Sequence, residues 1–198
     1  MAKVTSGAAR AGRPRSEKTR LAILEAAADI MLESGFSATT IESIAARAGV
    51  SKVTIYKWWP SRGAVAIDAY FYRYRETIAF ADTGDVVTDL TNQILVMVKA
   101  FRGRAGDVMA ELLGHAQSDP ALAAMWRERW LQPRRDATTV VLRRGIDRDQ
   151  IRGDVDLALV MDELYGPLYY RLLARHAPMD DAFARELVAT TFRGIGPH

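Results

Sequence analysis

The chain has 198 residues, of which 49% are hydrophobic, and it carries a formal net charge of +3 at pH 7. This length allows one large domain or two small ones, and the apolar content is ample for a core. The absence of cysteine excludes disulfides and thiolate metal sites. No apolar run approaches the roughly 18 residues of a membrane span, and the basic N-terminus does not lead into the apolar segment of a signal peptide. We therefore expect a cytoplasmic protein.

The basic charge is concentrated in the first third of the chain. Residues 1–63 hold ten Lys or Arg and five Asp or Glu, whereas residues 64–198 hold seventeen and nineteen. Residues 1–15 are rich in Ala, Gly, Arg and Ser and have no periodicity, which predicts a flexible basic arm. Such an arm can follow phosphates or enter the minor groove of DNA, although a solvated tail has the same composition.

The stretch from residue 16 to residue 49 predicts two helices. Ser16 is a suitable cap for the first, and Gly35 ends it. Apolar residues then recur at the spacing of one helix face, namely Ile41, Ile44, Ala45 and Ala48. Either Thr39 or Thr40 can cap this second helix, and Thr39 with Glu42 has the spacing of a capping box. Gly49 supplies the positive φ that a helix end favours.

A short basic helix is predicted directly after this turn. Ser51 is a good N-cap, and Ile55 and Trp59 are spaced to face inward. The side chains left pointing outward are Lys52, Thr54, Tyr56 and Lys57. A surface that combines cations, hydroxyls and an aromatic ring suits the major groove of DNA. Helix–Gly–helix pairs are also common in alanine-rich domains, so the spacing alone leaves a purely structural pair open.

Only helices are predicted for the rest of the chain. Ser61 begins a connecting helix, and six more are expected near residues 86–102, 106–117, 120–131, 134–147, 155–174 and 180–194. Pro133 is expected to interrupt or kink the pair on either side of it. No strand pattern or internal repeat is present. The sequence therefore predicts an all-α fold of about nine helices.

Motifs of enzymatic chemistry are absent. The sequence has no Walker loop, no GxGxxG, no HExxH and no GxSxG. Its three histidines, His115, His176 and His198, lie far apart along the chain, and adjacent acids such as Asp162 and Glu163 point in different directions on a helix. We expect neither an enzyme nor a bound metal or cofactor.

The motif AxxAGVSKxTxYxxWPSR, preceded by GRPRSEKTRLAILEAAADIMLESGFSATTIESIA, closely resembles the DNA-binding domain of the TetR family of bacterial transcriptional regulators. The match covers about residues 12–72. The remainder, with GRAGDVMAELL, DPALAAMWRERWLQPRR and GPLYYRLL, resembles one C-terminal subgroup of that family. The resemblance implies a flexible basic arm over residues 1–15, a three-helix, helix-turn-helix DNA-binding domain over 16–63, and a helical ligand-binding and dimerisation domain over 64–198.

The resemblance also implies which residues contact DNA. They are Thr40, Ser51, Lys52, Val53, Thr54, Tyr56, Lys57, Trp58 and Arg62, with Arg13 and Arg15 from the arm. Two positions depart from the family. Trp58 stands where Tyr or His is frequent, and Gly63 stands where an acidic residue is common.

The last two long helices are apolar on more than one side, which indicates burial either within the chain or against a second chain. The resemblance favours a homodimer through Leu157, Met161, Leu164, Leu168, Leu172, Phe183, Leu187 and Thr191. It also implies a ligand pocket among large, soft or polar-tipped residues of the central helices, namely Met97, Met109, Leu113, His115, Trp126, Trp130, Tyr165 and Tyr169. Ordinary core packing explains any single one of them.

These features together predict a sequence-specific DNA-binding transcriptional regulator. The expected protein is a homodimeric repressor that a small apolar or aromatic ligand releases from a palindromic operator in double-stranded DNA. The alternatives are a non-specific or architectural DNA-binding protein without an effector, and a small-molecule sequestering protein whose DNA-binding head is vestigial.

Overall fold

The computed structural model describes residues 12–74 and 80–197, with the backbone alone for residues 12–15. All regular secondary structure in these ranges is helical, which confirms the predicted all-α fold. The chain divides into two compact units, one ending at Arg73 and the other beginning at Tyr74. Among the described residues, no helix is both long enough and apolar enough to cross a membrane.

The first unit contains four helices. They are α1 (Gly12–Ser34), α2 (Ile41–Ala48), α3 (Lys52–Tyr56) and α4 (Arg62–Tyr74). Their shared core includes Ile23, Ile44, Ile55 and Val65, each without measurable exposure. Burying each such side chain contributes about 1.5–3 kcal/mol. The connecting helix α4 thus belongs structurally to the first unit, and the boundary at residue 63 remains our proposal for the end of the DNA-binding domain.

Helix α1 begins earlier than the sequence predicted. Ser16 was expected to be its cap, but the helix starts at Gly12 and Ser16 lies inside it. Pro14 falls in the first turn, where a missing N–H breaks no intrahelical hydrogen bond. Residues 12–15 are therefore helical, and the rest of the predicted flexible arm, residues 1–11, lies outside the described residues.

The second unit is built around α5 (Val86–Phe101), which packs against α6 (Arg104–Ala116), α8 (Gln132–Asp147) and α10 (Asp181–Ile195). The remaining helices are α7 (Pro120–Trp126) and α9 (Leu157–Ala174). Aspartate side chains accept backbone N–H groups at the start of four of these helices, at Asp85, Asp119, Asp156 and Asp180.

Helices α7 and α8 form one continuous helical path with a π-helical turn between them. This turn covers Arg127–Leu131, and the backbone N–H of Gln132 bonds the carbonyl of Arg127, five residues earlier. Pro133 follows at the start of α8, where it lacks an N–H to donate. The expected interruption at Pro133 is thus a local widening of the helix, a feature frequent at functional sites.

Candidate DNA-binding surface and ligand cavity

Helix α2 is fixed by a reciprocal cap one residue later than the capping box that the sequence suggested. The Thr40 hydroxyl accepts the N–H of Ser43 at 3.0 Å, and the Thr40 N–H donates to the Ser43 hydroxyl at 3.0 Å. Thr39 is fully buried instead, and its hydroxyl donates to the Gly35 carbonyl at 2.9 Å. Thr40, the alternative cap, is therefore correct, whereas the box of Thr39 with Glu42 is wrong.

The turn between α2 and α3 has the predicted geometry. Gly49 adopts φ 66°, the left-handed conformation that glycine accepts without a steric penalty. Ser51 then caps α3, and its hydroxyl accepts the Thr54 N–H at 3.2 Å. This cap also places the Thr54 hydroxyl 2.9 Å from that of Ser51. Both contacts fix the Ser51 and Thr54 side chains at the start of α3.

Helix α3 separates an inner face from an outer one. Ile55 is fully buried and Trp59, just after the helix, is 3% exposed. On the outer face Val53 is 67% exposed and Tyr56 is 54% exposed. Lys52 and Lys57 flank them and are also exposed. Helix α3 and the residue after it therefore offer two cations, a phenol hydroxyl and a methyl-bearing side chain. We call this set the α3 surface (Lys52, Val53, Tyr56 and Lys57).

One of these two lysines is paired within the chain. Lys52 Nζ donates to Glu42 Oε1 of α2 at 3.0 Å, and both side chains are more than half exposed. This hydrogen bond raises the pKa of Lys52 and lowers that of Glu42. Glu42 thus places a negative charge beside a surface that is otherwise basic. No motif at the sequence level pointed to this pair, because its members lie ten residues apart on different helices.

The other DNA-binding predictions fall around the same helix. Thr40 is the half-buried α2 cap, and Trp58 is half-buried with its ring edge against Trp59, the ring centroids 5.9 Å apart. Arg62 lies over the Phe36 ring at 4.3 Å and donates to the Ser37 carbonyl at 3.4 Å. Arg13 and Arg15 lie in the first turn of α1, where the side chains are outside the described atoms.

A partly buried hydrogen bond connects the segment after α3 to the connecting helix. The Trp59 indole N–H donates to Asp68 Oδ2 of α4 at 2.7 Å, and the Trp59 backbone N–H donates to the Ile55 carbonyl at 3.1 Å. The chain that leaves α3 is therefore fixed to α4 by a charge-assisted contact, the stronger class of hydrogen bond.

The second unit contains a cavity of about 220 Å³ between α9 and the α7–α8 path. Three predicted ligand residues line it: Trp126, Tyr165 and Tyr169. The other lining residues are Leu131, Arg134, Arg135, Met161, Asp162 and Gly166. The ring of Tyr169 meets that of Trp126 edge to face, with centroids 6.0 Å apart.

Hydrogen bonds fix both tyrosines of the cavity wall. The Trp130 indole N–H donates to the Tyr169 hydroxyl at 3.0 Å. The Thr138 hydroxyl donates to the Arg134 carbonyl at 2.8 Å, so the Tyr165 hydroxyl, also 2.8 Å away, donates to Thr138. Burial raises the pKa of Tyr165 to about 12 and also raises the pKa of Tyr169. Both phenols therefore keep their protons at neutral pH.

The charged groups of the cavity were missed by sequence reasoning. Arg134 is 3% exposed, and its guanidinium carbon lies 3.2 Å from the centroid of the Trp130 ring. Arg135 Nη1 pairs with Asp162 Oδ1 at 2.6 Å, with Asp162 mostly exposed. Arg134 follows Trp130 by four residues and so shares its helix face, which is a signal that the sequence did contain.

Not every predicted ligand residue borders this cavity. Met97, Met109 and Leu113 are buried outside its lining, and His115 is exposed near the end of α6. Trp130 does not line the cavity but supports it through Tyr169 and Arg134. Met161, predicted for the dimer interface, lines the cavity.

Helix α9 has two apolar faces, and the predicted dimer residues lie mostly on the inner one. Met161, Leu164, Leu168 and Leu172 are buried within the chain, as is Thr191 of α10, whereas Leu157, Phe183 and Leu187 are half-buried. The outer face carries Leu159, Tyr170 and Leu173, which are 57%, 64% and 53% exposed. Their spacing of eleven and three residues places them on one side of the helix. The five buried residues thus belong to the chain's own core, whereas the outer face of α9 is exposed in the single chain.

Both units match known domain families. Residues 23–69 match the family described as bacterial regulatory proteins, tetR family, and residues 80–191 match the tetracyclin repressor-like C-terminal domain. The chain is 40% identical to the uncharacterized HTH-type transcriptional regulator YdeS of Bacillus subtilis (strain 168) over 184 residues, covering 93% of each protein.

Solved structures share the fold. The TetR family transcription regulator SCO0332 superposes with a TM-score of 0.80 and 40% identity, over 91% of this chain and 100% of that one. The structure of SmeT in complex with triclosan has a TM-score of 0.67 and 23% identity, over 91% and 92% of the two chains. The second likeness shows the common fold.

Proposed function

The chain belongs to the TetR family of bacterial transcriptional regulators, and from this premise we propose that it is a homodimeric repressor that a small molecule releases from a palindromic operator. As a member of that family it is a DNA-binding transcriptional regulator and not an enzyme. We place its action in the cytoplasm. The observation that carries the proposal is the α3 surface, which is basic and exposed on a helix capped by Ser51.

The proposed DNA contacts divide by chemistry. Lys52 and Lys57 contact phosphates, and the Tyr56 hydroxyl donates a hydrogen bond to a further phosphate. Val53 and Thr54 reach base edges or thymine methyl groups in the major groove. Thr40, Ser51, Trp58 and Arg62 contact the backbone beside them, with Arg13 and Arg15 as further cations. Two heads related by two-fold symmetry then read half-sites about 34–36 Å apart, or a multiple of that distance.

Repression and ligand release are supported by the second unit. It matches a domain described as tetracyclin repressor-like, and SmeT, which shares the fold, has been solved with triclosan. The cavity beneath α9 combines aromatic walls with a few fixed polar groups, as small-molecule sites do. A ligand that fits one conformation better than the DNA-binding one weakens operator binding by the difference of its two affinities.

The partner-facing surface is proposed to be the outer face of α9. Exposed large apolar residues that share one helix side mark an interaction site when they cluster. Leu159, Tyr170 and Leu173 satisfy this condition, and Gly166 between them allows close approach of a second helix. We therefore place the dimer contact there rather than at the buried residues that the sequence indicated.

Selection of bound duplexes from a random pool tests the proposal. We expect a palindrome to be enriched and to bind roughly 10³-fold or more tightly than bulk DNA at physiological salt. A library of small molecules is then screened for release of that duplex. Equal binding to all duplexes would identify an architectural protein, and failure to bind DNA at low salt would identify a sequestering one.

Replacing Lys57 with alanine is expected to weaken DNA binding and to lower the slope of log affinity against log salt by about 0.9, the value for one lost phosphate contact. Lys57 is suited to this test because it is exposed on the α3 surface. Titration of the selected duplex at several salt concentrations measures the slope. Lys99→Ala, which removes the same charge from an exposed position of α5, is the matched control and should leave the slope unchanged. An unaltered slope in Lys57→Ala would remove this residue from the phosphate contacts.

Glu42→Gln is expected to strengthen operator binding several-fold at low salt. The change removes the carboxylate that pairs with Lys52 at 3.0 Å and leaves the lysine available to a phosphate. Because the pair is exposed, salt should erase most of the gain. Glu33→Gln is the matched control, since Glu33 pairs with Arg47 and not with a lysine of the α3 surface. Weaker binding of Glu42→Gln would show instead that Glu42 positions Lys52 for its contact.

A further inference from the structure

The polar groups around the cavity have more hydrogen-bond donors than acceptors. The Trp130 N–H donates to the Tyr169 oxygen, so the proton of Tyr169 remains available to another acceptor. The indole nitrogen of Trp126 is buried and has no hydrogen-bond partner among the described residues. A buried donor without an acceptor is energetically unfavourable, so a ligand that accepts these hydrogens gains affinity.

The charges of the lining residues favour a negative ligand. Two arginines stand against one aspartate, which leaves the wall with a charge of +1. Asp162 is bound by Arg135 at 2.6 Å, whereas Arg134 lies deep in the wall, 3% exposed and stacked on Trp130. In a site of low polarity, a hydrogen bond from a guanidinium to an anion is shorter and roughly twice as strong as a neutral one.

The size and the walls of the cavity restrict the rest of the ligand. Sites for drug-sized molecules enclose about 300–1,000 Å³, and this cavity of about 220 Å³ is smaller. Its apolar walls come from Trp126, Tyr169, Met161 and Leu131. Ring edges and a thioether pack well against a flat aromatic body.

We infer that the effector is a small organic anion with a flat apolar body, in the class of single-ring aromatic carboxylates, whose acid group lies at Arg134 and Tyr169. The inference rests on the proposed effector-responsive function and specifies the chemistry of its ligand. Arg134 would confer the preference for an acid, and Trp126 and Met161 the preference for a ring.

Benzoate, benzamide and benzamidine test this inference, because they share one shape and carry charges of −1, 0 and +1. Binding to the full chain is measured by calorimetry and by ligand-observed NMR at millimolar concentration. We expect benzoate to bind at least tenfold more tightly than benzamide, and benzamidine to bind least. Equal binding of the acid and the amide, tightest binding of benzamidine, or no binding of any probe would overturn the inference.

Variants of Arg134 locate the acid group. Arg134→Met keeps the length and packing of the side chain and should abolish the preference for benzoate over benzamide. Arg134→Lys retains the charge and should keep part of that preference. Arg143→Met, an exposed arginine of the same helix, is the matched control and should bind the probes as the parent does. A parent-like preference in a folded Arg134→Met chain would contradict the assignment. If Arg134→Met does not fold, Arg134→Lys provides the test. The assignment would be contradicted if Arg134→Lys bound benzoate as tightly as Arg143→Met does and kept the same preference for benzoate over benzamide.

The same probes separate this inference from the proposed function. If benzoate binds through Arg134 but never weakens binding of the selected duplex, the acid site stands and ligand release is wrong. If benzamide binds as tightly as benzoate and both release the duplex, ligand release stands and the acid preference is wrong.

Discussion

A chain in which Leu159 and Leu173 are both changed to glutamate is expected to be monomeric and to bind its operator about 10²- to 10⁴-fold more weakly than the parent. The two leucines are more than half exposed on one side of α9, so the change should leave the chain's own core intact. Across a two-fold axis it would bring four carboxylates together in place of an apolar contact. The loss of affinity follows because one head alone lacks the effective concentration that a linked second head provides. Sedimentation and titration of the selected duplex measure the two effects.

Two controls separate loss of the interface from loss of the fold. Val140→Glu inserts the same charge at a residue of α8 that is as exposed as Leu159, and we expect it to remain dimeric. Leu164→Glu instead buries a charge at a residue without measurable exposure and should unfold the second unit. A double variant that stays dimeric with full affinity would move the interface away from the outer face of α9.

The helix-turn-helix could be predicted closely because its determinants are local. Gly49, Ser51 and Ile55 act within a few residues of their own positions, through a left-handed turn, a cap and a helix period. The choice between Thr39 and Thr40 was harder, since both offer a hydroxyl at a suitable spacing. It is decided by the burial of Thr39 against the end of α1, a tertiary contact that local spacing does not specify.

The two faces of α9 show where periodicity stops being informative. Periodicity does not distinguish an apolar residue that packs within its own chain from one that packs against a partner. The sequence therefore predicts Leu164 and Leu168 for the interface, but not Leu159 and Leu173. In the three-dimensional structure only the second pair is exposed, which is why we propose that pair for the interface. Sequence pattern also failed to indicate the burial of Arg134. This residue lies in the charged run QPRRD and yet is buried against the ring of Trp130.

Removing the hydrogen bond from Trp59 to Asp68 is expected to lower the stability of the first unit. Trp59→Phe keeps an aromatic ring in the core and removes the indole N–H that donates to Asp68 at 2.7 Å. A hydrogen bond to a charged group contributes about 1.5–3 kcal/mol, and the smaller ring leaves additional empty volume. We therefore expect the free energy of unfolding to fall by at least about 1.5 kcal/mol, measured by urea denaturation of the full chain.

Loss of the hydrogen bond from Trp59 to Asp68 is also expected to affect DNA binding. The bond fixes the chain leaving α3 to α4, so its loss should let the α3 surface reorient and weaken operator binding even where the protein is fully folded. Trp58→Phe is the matched control for stability, because the same change at this half-buried neighbour removes no hydrogen bond to Asp68. A Trp59→Phe chain with reduced stability and parent-like operator affinity would show that the bond supports the fold alone. Parent-like stability would mean that Asp68 gains as much from water as from the indole, and that α3 is held to α4 by apolar packing.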